Sequence, residues 1–311
     1  MTKVIVFGSI NMDLVTRTPR LPVAGETLQG TEFFTASGGK GANQAVAAAR
    51  LGIPTQLVGR LGGDDFGRQL LAGLQASGVQ IDGVLVDEAT SSGVAIITVD
   101  GAGENTIVII AGANGRIDEA DIDRLKSRLA GTAALLMQFE IPLSMVHSAA
   151  LAARQAGVPV ILDPAPVQDI PVELYPLVDI ITPNQLEASQ LVGFPVDGIE
   201  AAQRASAILR QRGVGTAIVK LGDRGVFCAT TEETFFVPAF PVEAVDTVAA
   251  GDAFDGALAV ALAEGLPLQQ AVMWGAAAGA LSATKAGAQP SLPDRKIFDA
   301  FLKERGLDMQ Y

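Results

Sequence analysis

The most informative segment of the chain reads Asp246-Thr247-Val248-Ala249-Ala250-Gly251-Asp252-Ala253-Phe254-Asp255-Gly256. Its small residues stand immediately before a predicted helix over residues 252–264. Small residues leave the first N–H groups of a helix accessible, and the helix dipole is positive at this end, so the segment predicts a site for negative charge. Asp252 then has two interpretations: it caps the helix, or it accepts a hydroxyl proton beside the anion site.

The sequence around this segment alternates short aliphatic runs with Ala-rich helical runs, which predicts an α/β protein with a mostly parallel sheet. The predicted strands cover residues 4–9, 56–60, 133–138, 158–163, 179–182 and 216–221. The predicted helices cover residues 41–51, 64–77, 142–156, a segment from 184, 198–212, 252–264, 267–284 and 293–305. No composition shift marks a linker, so we expect one domain over residues 1–311.

Two segments, residues 14–36 and 93–110, interrupt this alternation. The first is strand-like but punctuated by Pro and Gly, and the second contains a hairpin signal at residues 100–103. These segments form either a lid over a cleft or an extra antiparallel edge, and the sequence alone leaves both interpretations open.

Composition limits the chemistry that the protein can perform. The 22 Lys and Arg residues against 34 Asp and Glu residues give a net charge of −12, which disfavours nucleic acid and anionic membrane as partners. His147 and Cys228 are the only His and Cys, so a Cys/His zinc site and a disulfide framework are excluded. The single Cys and an N-terminal apolar run that resembles a buried strand more than a signal peptide predict a cytoplasmic protein.

The segment Ser37-Gly38-Gly39-Lys40-Gly41-Ala42-Asn43-Gln44 is the second candidate binding motif. Glycines allow close approach of the backbone to a ligand, while Lys40 and Asn43 supply a cation and an amide. The alternative is an ordinary loop that begins a helix. It is not a P-loop, since no Ser or Thr follows the lysine, and no dinucleotide fingerprint follows the first strand, which disfavours a nicotinamide dehydrogenase.

Other polar residues follow predicted strands, where open α/β sheets bind ligands. Asn11 and Asp13 come after the first strand, and Glu140 comes after the run that ends at residue 139. Asn184 and Glu187 have the spacing of a capping box, which explains them without any ligand.

Together these motifs resemble the ribokinase family of sugar kinases, of the PfkB type, over nearly the whole chain. The glycine signature at 38–43 and the second signature at 246–254 occur in the order and spacing of that family. The resemblance implies a three-layer α/β/α body with a small β-sheet lid. It also implies transfer of the ATP γ-phosphoryl group to the primary hydroxyl of D-ribose, since Gly39-Lys40-Gly41-Ala42-Asn43 with Asn-x-Asp upstream favours ribose.

The resemblance further implies roles for individual residues. It assigns the catalytic base to Asp252 and the anion hole to Ala249, Ala250 and Gly251. Sugar-binding positions are Asn11, Asp13, Gly39, Lys40, Asn43, Glu140 and Asp252. Nucleotide positions are Asn184, Glu187, Lys220, Leu221, Gly222, Asp223, Arg224, Gly225, Gly251 and Ala276, with Mg²⁺ associated with Asn184 and Glu187. A monovalent cation, expected to be K⁺, is assigned to Asp246, Val248, Ser282, Lys285, Gly287 and Ser291.

Three residues depart from the family pattern and leave alternatives open. Ala276 stands where His or Asn is frequent, Lys220 where Thr is common, and Met12 where a smaller residue is usual. A fructokinase and a nucleoside kinase are the alternatives within the family, and a sugar-binding protein or a pseudokinase is the alternative without catalysis. Because lids of this family often pair between subunits, the resemblance also implies a homodimer through the lid.

Overall fold

The elements are those of a computed structural model that describes residues 2–307. The strands are β1 (Lys3–Phe7), β2 (Asn11–Arg17), β3 (Glu32–Gly38), β4 (Thr55–Gly62), β5 (Gln80–Asp87), β6 (Gly93–Val99), β7 (Asn105–Ile110), β8 (Thr132–Met137), β9 (Val160–Leu162), β10 (Ile180–Ile181), β11 (Thr216–Lys220), β12 (Gly225–Ala229) and β13 (Thr234–Pro238). The helices are α1 (Lys40–Arg50), α2 (Asp65–Ala76), α3 (Glu119–Lys126), α4 (Leu143–Ala156), α5 (Gln185–Val192), α6 (Ile199–Gln211), α7 (Ala250–Ala263), α8 (Leu268–Ala283), α9 (Ala288–Ser291) and α10 (Arg295–Glu304). Within residues 2–307, no helix has the length and apolar character that a membrane span requires.

The main sheet has nine strands in the order β13-β12-β11-β10-β9-β8-β1-β4-β5. In this order, the strands from β11 through β5 all run parallel to their neighbours. β12 pairs antiparallel with β11, and β13 pairs antiparallel with β12. Alternate residues of a strand point to opposite faces, and β1 shows this directly. Val4 and Val6 belong to the buried cluster that contains residues of α1, α7, α8 and α10, whereas Ile5 and Phe7 belong to the cluster that contains residues of α3 and α4. Helices therefore cover both faces, and the predicted three-layer α/β/α fold is confirmed.

A second sheet has four strands in the order β3-β2-β6-β7. In it β2 pairs antiparallel with β3 and parallel with β6, and β6 forms a hairpin with β7. The small sheet is continuous with the body through the short segment between β1 and β2. Asn11 and Asp13, which follow the first predicted strand, lie within β2.

The structure contains elements that the hydrophobic pattern did not predict, namely β5, β12, β13, α3 and the short α9. β5 is an edge strand whose residues are mostly exposed or half-buried, and its aliphatic run is only three residues long, Val84-Leu85-Val86. α7 begins at Ala250, two residues before the predicted start, and its N-cap residue is Ala249. The interpretation of Asp252 as an N-cap is thus wrong, because Asp252 is the third residue of the helix.

α1 and α7 pack closely against each other, and a glycine permits this approach. A Cβ atom placed on Gly256 of α7 would lie 2.6 Å from the Cβ of Ala47 and 3.1 Å from the backbone N of Ala48, both in α1. The separation of the two helices is therefore set by the absence of a side chain at residue 256.

We expect Gly256→Ala to destabilise the protein by about 1–3 kcal/mol, because the new methyl group must push α1 away from α7. Gly73→Ala is the matched control, since the nearest atom to its new methyl group is the Ser37 Oγ at 3.6 Å. That control should be neutral or stabilise α2 by up to about 1 kcal/mol. Urea unfolding of both variants measures the difference, and equal stability of the two would contradict this account of the helix contact.

Candidate active site

The polar residues that follow the parallel strands of the main sheet converge at one edge of it. Glu140 follows β8, Asp163 follows β9, Asn184 follows β10, and Lys220 ends β11. The carboxyl ends of parallel strands are the usual ligand-binding edge of an open α/β sheet. α1 and α7 begin at this same edge: the Lys40 N–H of α1 donates to Glu140, and Lys220 donates to Asp255 of α7.

Glu140 joins the first strand region to the start of α1. Its Oε2 accepts hydrogen bonds from the Ser9 Oγ at 2.5 Å, the Lys40 backbone N at 3.0 Å and the Asn11 Nδ2 at 3.3 Å. The other side of Asn11 is held by Asn114, whose Nδ2 donates to the Asn11 Oδ1 at 2.7 Å. Asn11 is therefore fixed from both ends, and Ser9 and Asn114 are site residues that the sequence analysis missed.

Two of the three glycines in the first signature, Gly38 and Gly39, make room for Asn11 and Asp13. A Cβ on Gly38 would lie 2.3 Å from the Asp13 Oδ2, and a Cβ on Gly39 would lie 2.6 Å from the Asn11 backbone N. Gly39 also has a φ of +87°, which side-chain-bearing residues rarely adopt. Burial raises the pKa of Asp13 to about 7, and the charges of Glu140 and Asp252 add to the increase.

Asp252 is buried, with 4% of its surface exposed, and is held by two amides from the first turn of α1. The Asn43 Nδ2 donates to its Oδ2 at 2.9 Å, and the Gln44 Nε2 donates to its Oδ1 at 3.2 Å. The Gln44 Oε1 accepts in turn from the Gln138 Nε2 at 2.5 Å. Burial raises the pKa of Asp252 to about 6, although the charge of Lys40 opposes this increase. A carboxyl group with such a pKa is ionised at neutral pH and can accept a proton.

The first turn of α7 presents unpaired N–H groups beside this carboxylate. Ala249 has a φ of +61° and is the one non-glycine residue with positive φ within residues 2–307. No side chain caps the helix, and the N–H groups of Gly251 and Asp252 have no protein acceptor in the described part of the chain. Together with the helix dipole, these groups can stabilise an anion.

A cavity of about 810 Å³ extends from Asp252 along this edge of the sheet. Most of the predicted nucleotide residues line it, namely Asn184, Glu187, Lys220, Gly222, Asp223, Gly225, Gly251 and Ala276. Leu221 and Arg224 do not line it. Leu221 is fully buried in an apolar cluster, and Arg224 donates to the carbonyl of Asp197.

Asn184 and Glu187 form the capping box of α5. The Glu187 N–H donates to the Asn184 Oδ1 at 2.9 Å, and the Asn184 N–H donates to the Glu187 Oε2 at 2.8 Å. Glu187 nevertheless lines the cavity, and burial together with the charge of Asp163 raises its pKa. The capping interpretation is therefore correct and does not exclude contact with a ligand.

A buried group of charges behind the cavity was not predicted. Asp163 lies 3.9 Å from the Lys40 Nζ and 3.4 Å from the Lys220 Nζ, and Lys220 also lies 3.3 Å from the Asp255 Oδ2. Burial raises the pKa of Asp255, and the charge of Lys220 opposes this increase. The position of Asp163 directly after β9 is the one sequence signal for this group.

The residues assigned to a monovalent cation form a separate cluster beside the start of α7. Asp246 accepts from the N–H groups of Val248 at 3.0 Å and Gly287 at 2.9 Å. The Ser282 and Ser291 Oγ atoms are 2.7 Å apart, and the Lys285 N–H donates to the Ser282 carbonyl. Residues 2–307 contain no group of three or more His, Cys, Asp and Glu arranged to hold a metal ion, so any cation here binds to a different donor set.

Comparison with known proteins gives matches over almost the whole chain. The family model of the pfkB family carbohydrate kinases matches residues 1–295. The ribokinase of Haemophilus influenzae is 40% identical over 298 residues, which cover 96% of this chain and 97% of that protein. The deoxyribokinase of Salmonella typhi is 35% identical over 300 residues, with 96% and 98% covered.

The solved structure of Arabidopsis thaliana ribokinase complexed with ribose and ATP has the same fold, with a TM-score of 0.90. It is 37% identical to this chain, and the match covers 97% of this chain and 98% of that one. Family model, sequence relatives and structure agree, and the chain therefore belongs to the pfkB family of carbohydrate kinases.

Proposed function

We propose that the protein is an ATP-dependent kinase that phosphorylates the primary hydroxyl of D-ribose to give D-ribose 5-phosphate. The observation that carries this proposal is the buried carboxylate of Asp252 beside the free N–H groups of Gly251 and Asp252. A base next to an anion site is what phosphoryl transfer to a hydroxyl requires. The similarity to ribokinases over nearly the whole chain supports ribose as the sugar and ATP as the phosphoryl donor.

Ribose would bind between the small sheet and the start of α1. Asn11 and Asp13 in β2, the carboxylate of Glu140, and Lys40, Asn43 and the Gly39 backbone at the start of α1 would hold its hydroxyl groups. A sugar hydroxyl both donates and accepts hydrogen bonds, so this mixture of carboxylates, amides and backbone groups suits it. Asp13 and Asp252 influence each other electrostatically, which is consistent with one sugar contacting both.

In the reaction, Asp252 accepts the proton of the primary hydroxyl while the hydroxyl oxygen attacks the γ-phosphorus of ATP. The bond between the γ-phosphorus and the bridging oxygen breaks, and that oxygen leaves with ADP. Negative charge on the transferred group is stabilised by the N–H groups of Gly251 and Asp252 at the α7 N-terminus. Asn43 and Gln44 hold the carboxylate in position for the proton transfer.

The nucleotide itself would occupy the 810 Å³ cavity, with Mg²⁺ near Asn184 and Glu187. These residues fit the ion because Mg²⁺ prefers oxygen ligands, and because Glu187 and Asp163 are carboxylates buried close together. When bound, Mg²⁺ supplies positive charge to the phosphate groups of ATP.

A monovalent cation, K⁺, would bind at the cluster beside the start of α7. The carboxylate of Asp246, the carbonyl of Val248 and the paired hydroxyls of Ser282 and Ser291 are oxygen donors of the type that replaces the hydration shell of K⁺. Lys285 and Gly287 complete the cluster through their backbone. The ion would add positive charge beside the anion site.

We further propose that the small sheet is a lid and that residues 1–311 form one domain. β2 carries both Asn11 and Asp13, so a sugar bound to them contacts the small sheet directly.

A cytoplasmic location is proposed as well, since ATP is the donor and Cys228 is a free, buried thiol. Cell fractionation checks the location, and recovery in the periplasmic fraction would contradict it.

An ADP-release assay with ribose, fructose, 2-deoxyribose and adenosine tests the substrate. We expect ribose to give the highest kcat/KM and a lower rate when K⁺ is replaced by tetramethylammonium, because the larger ion does not fit the cluster. Equal rates with all four acceptors, or no turnover with ribose, would contradict the proposal. The absence of turnover with every acceptor would instead favour a sugar-binding protein or pseudokinase.

The exposed side of the lid supports a homodimer. The edge strand β7 has exposed apolar side chains, with Val108 60% exposed and Ile107 53% exposed, and apolar edge strands of this kind commonly mark an interface. Light scattering should give the mass of a dimer, and Val108→Lys should give a monomer. Val172→Lys is the matched control, because Val172 is 72% exposed outside the lid, and it should remain dimeric. A monomeric wild-type protein would contradict this part of the proposal.

A further inference from the structure

We propose that Lys220 is a catalytic residue whose ammonium group contacts the γ-phosphoryl group of ATP, and that Asp163 and Asp255 hold it there. This inference rests on the proposed kinase function. It states that Lys220 contacts the phosphoryl group that is transferred, whereas the family resemblance implies only that Lys220 contacts the nucleotide.

The location of the ammonium group is the first reason. Lys220 ends β11, and a Cβ atom placed on Gly251 would lie 3.3 Å from its Nζ. The ammonium therefore lies against the first turn of α7, where the N–H groups of Gly251 and Asp252 are free. Lys220, Gly251 and Asp252 line the same cavity, so an anion bound by these N–H groups lies within reach of Nζ.

The hydrogen-bonding capacity of Lys220 is the second reason. An ammonium group has three N–H donors. Two of them face acceptors, the Asp163 Oδ1 at 3.4 Å and the Asp255 Oδ2 at 3.3 Å. Within residues 2–307 the third donor has no hydrogen-bond acceptor, and the remaining contact of the ammonium group is the Phe254 ring, whose centroid lies 5.7 Å from Nζ. The side chain is only 13% exposed, so solvent satisfies this donor poorly and a ligand oxygen would satisfy it well.

The charge distribution is the third reason. Lys40 and Lys220 are the cations among the described residues that line the cavity, which also contains Asp163, Asp252 and Glu187. A nucleotide adds further negative charge, so a cation that touches its terminal phosphate has a large electrostatic effect. Burial alone would lower the pKa of Lys220, but Asp163, Asp255 and Glu187 raise it above its usual range, so the charge is permanent.

Asp255 serves to hold this cation. It is fully buried in α7, one helical turn after Asp252, and its Oδ1 has no hydrogen-bond partner in the described chain. An isolated carboxylate at such a position would be costly, and the Lys220 ammonium offsets that cost. The ion pair between Lys220 and Asp255 also allows a purely structural interpretation, in which Lys220 serves only to neutralise Asp255. The experiment must separate these two roles.

The experiment compares Lys220→Met with the double variant Lys220→Met/Asp255→Asn, which removes the opposing charge as well. We expect both to lose about 10²–10³-fold in kcat, which is the usual effect of removing one donor from an anion site. The double variant should recover the thermal stability that the single variant loses, because no unpaired buried charge remains. Lys220→Arg, which keeps the positive charge, should retain more activity than Lys220→Met.

Nucleotide binding gives a readout that does not depend on the sugar. By calorimetry, Lys220→Met/Asp255→Asn should bind the β,γ-imido analogue of ATP at least about tenfold more weakly than wild type, while ADP affinity stays close to wild type. Recovery of kcat in the double variant would overturn the proposal, as would an equal loss of affinity for ADP. If wild type binds the analogue but does not phosphorylate ribose, the substrate assignment fails and the Lys220 contact is still tested.

Discussion

The contact between the Asp252 carboxylate and the first turn of α1 is the interaction on which the site depends. Asn43 and Gln44 reach Asp252 only because α1 and α7 pack closely, and they do so because Gly256 has no side chain. Two segments about 200 residues apart in sequence thus form one site. The nearly complete burial that follows raises the pKa of the carboxyl to about 6, which is low enough for ionisation at pH 7 and high enough for a useful base.

Local electrostatics differ from the charge of the whole molecule. The net charge of −12 argues against anionic polymers, yet the proposed substrate ATP is itself an anion. The difference lies in the first turn of α7 and in the partly buried Lys40 and Lys220, which together provide positive potential in a cavity that is otherwise rich in carboxylates. Phosphoryl transfer needs little covalent participation by the protein, so a chain with one His and one Cys has sufficient groups for it.

The alternation of aliphatic and helical runs was enough to predict an α/β protein with the central parallel strands, and the three-layer arrangement was implied by the family resemblance. It missed β5, since an edge strand lacks a buried run, and it started α7 too late, since Ala249 adopts a positive φ that local sequence does not reveal. The two signatures indicated that Asp252, Lys40 and Asn43 belong to the site, whereas the roles of these residues stay predictions. The group around Asp163 and Asp255 was not predictable, because it depends on which strands become neighbours in the sheet.

The pH dependence of kcat/KM for ribose in wild type and Asp252→Asn tests most directly whether Asp252 is the base. A base must be ionised to accept a proton, so the wild-type value should fall about tenfold per pH unit below about pH 6, where Asp252 becomes protonated, and Asp252→Asn, which keeps Asp13 with its pKa of about 7, should lack this part of the fall. Asp252→Asn should lose about 10²–10⁴-fold in kcat at pH 7, with the KM for ribose little changed. Near-normal turnover of Asp252→Asn would contradict the account.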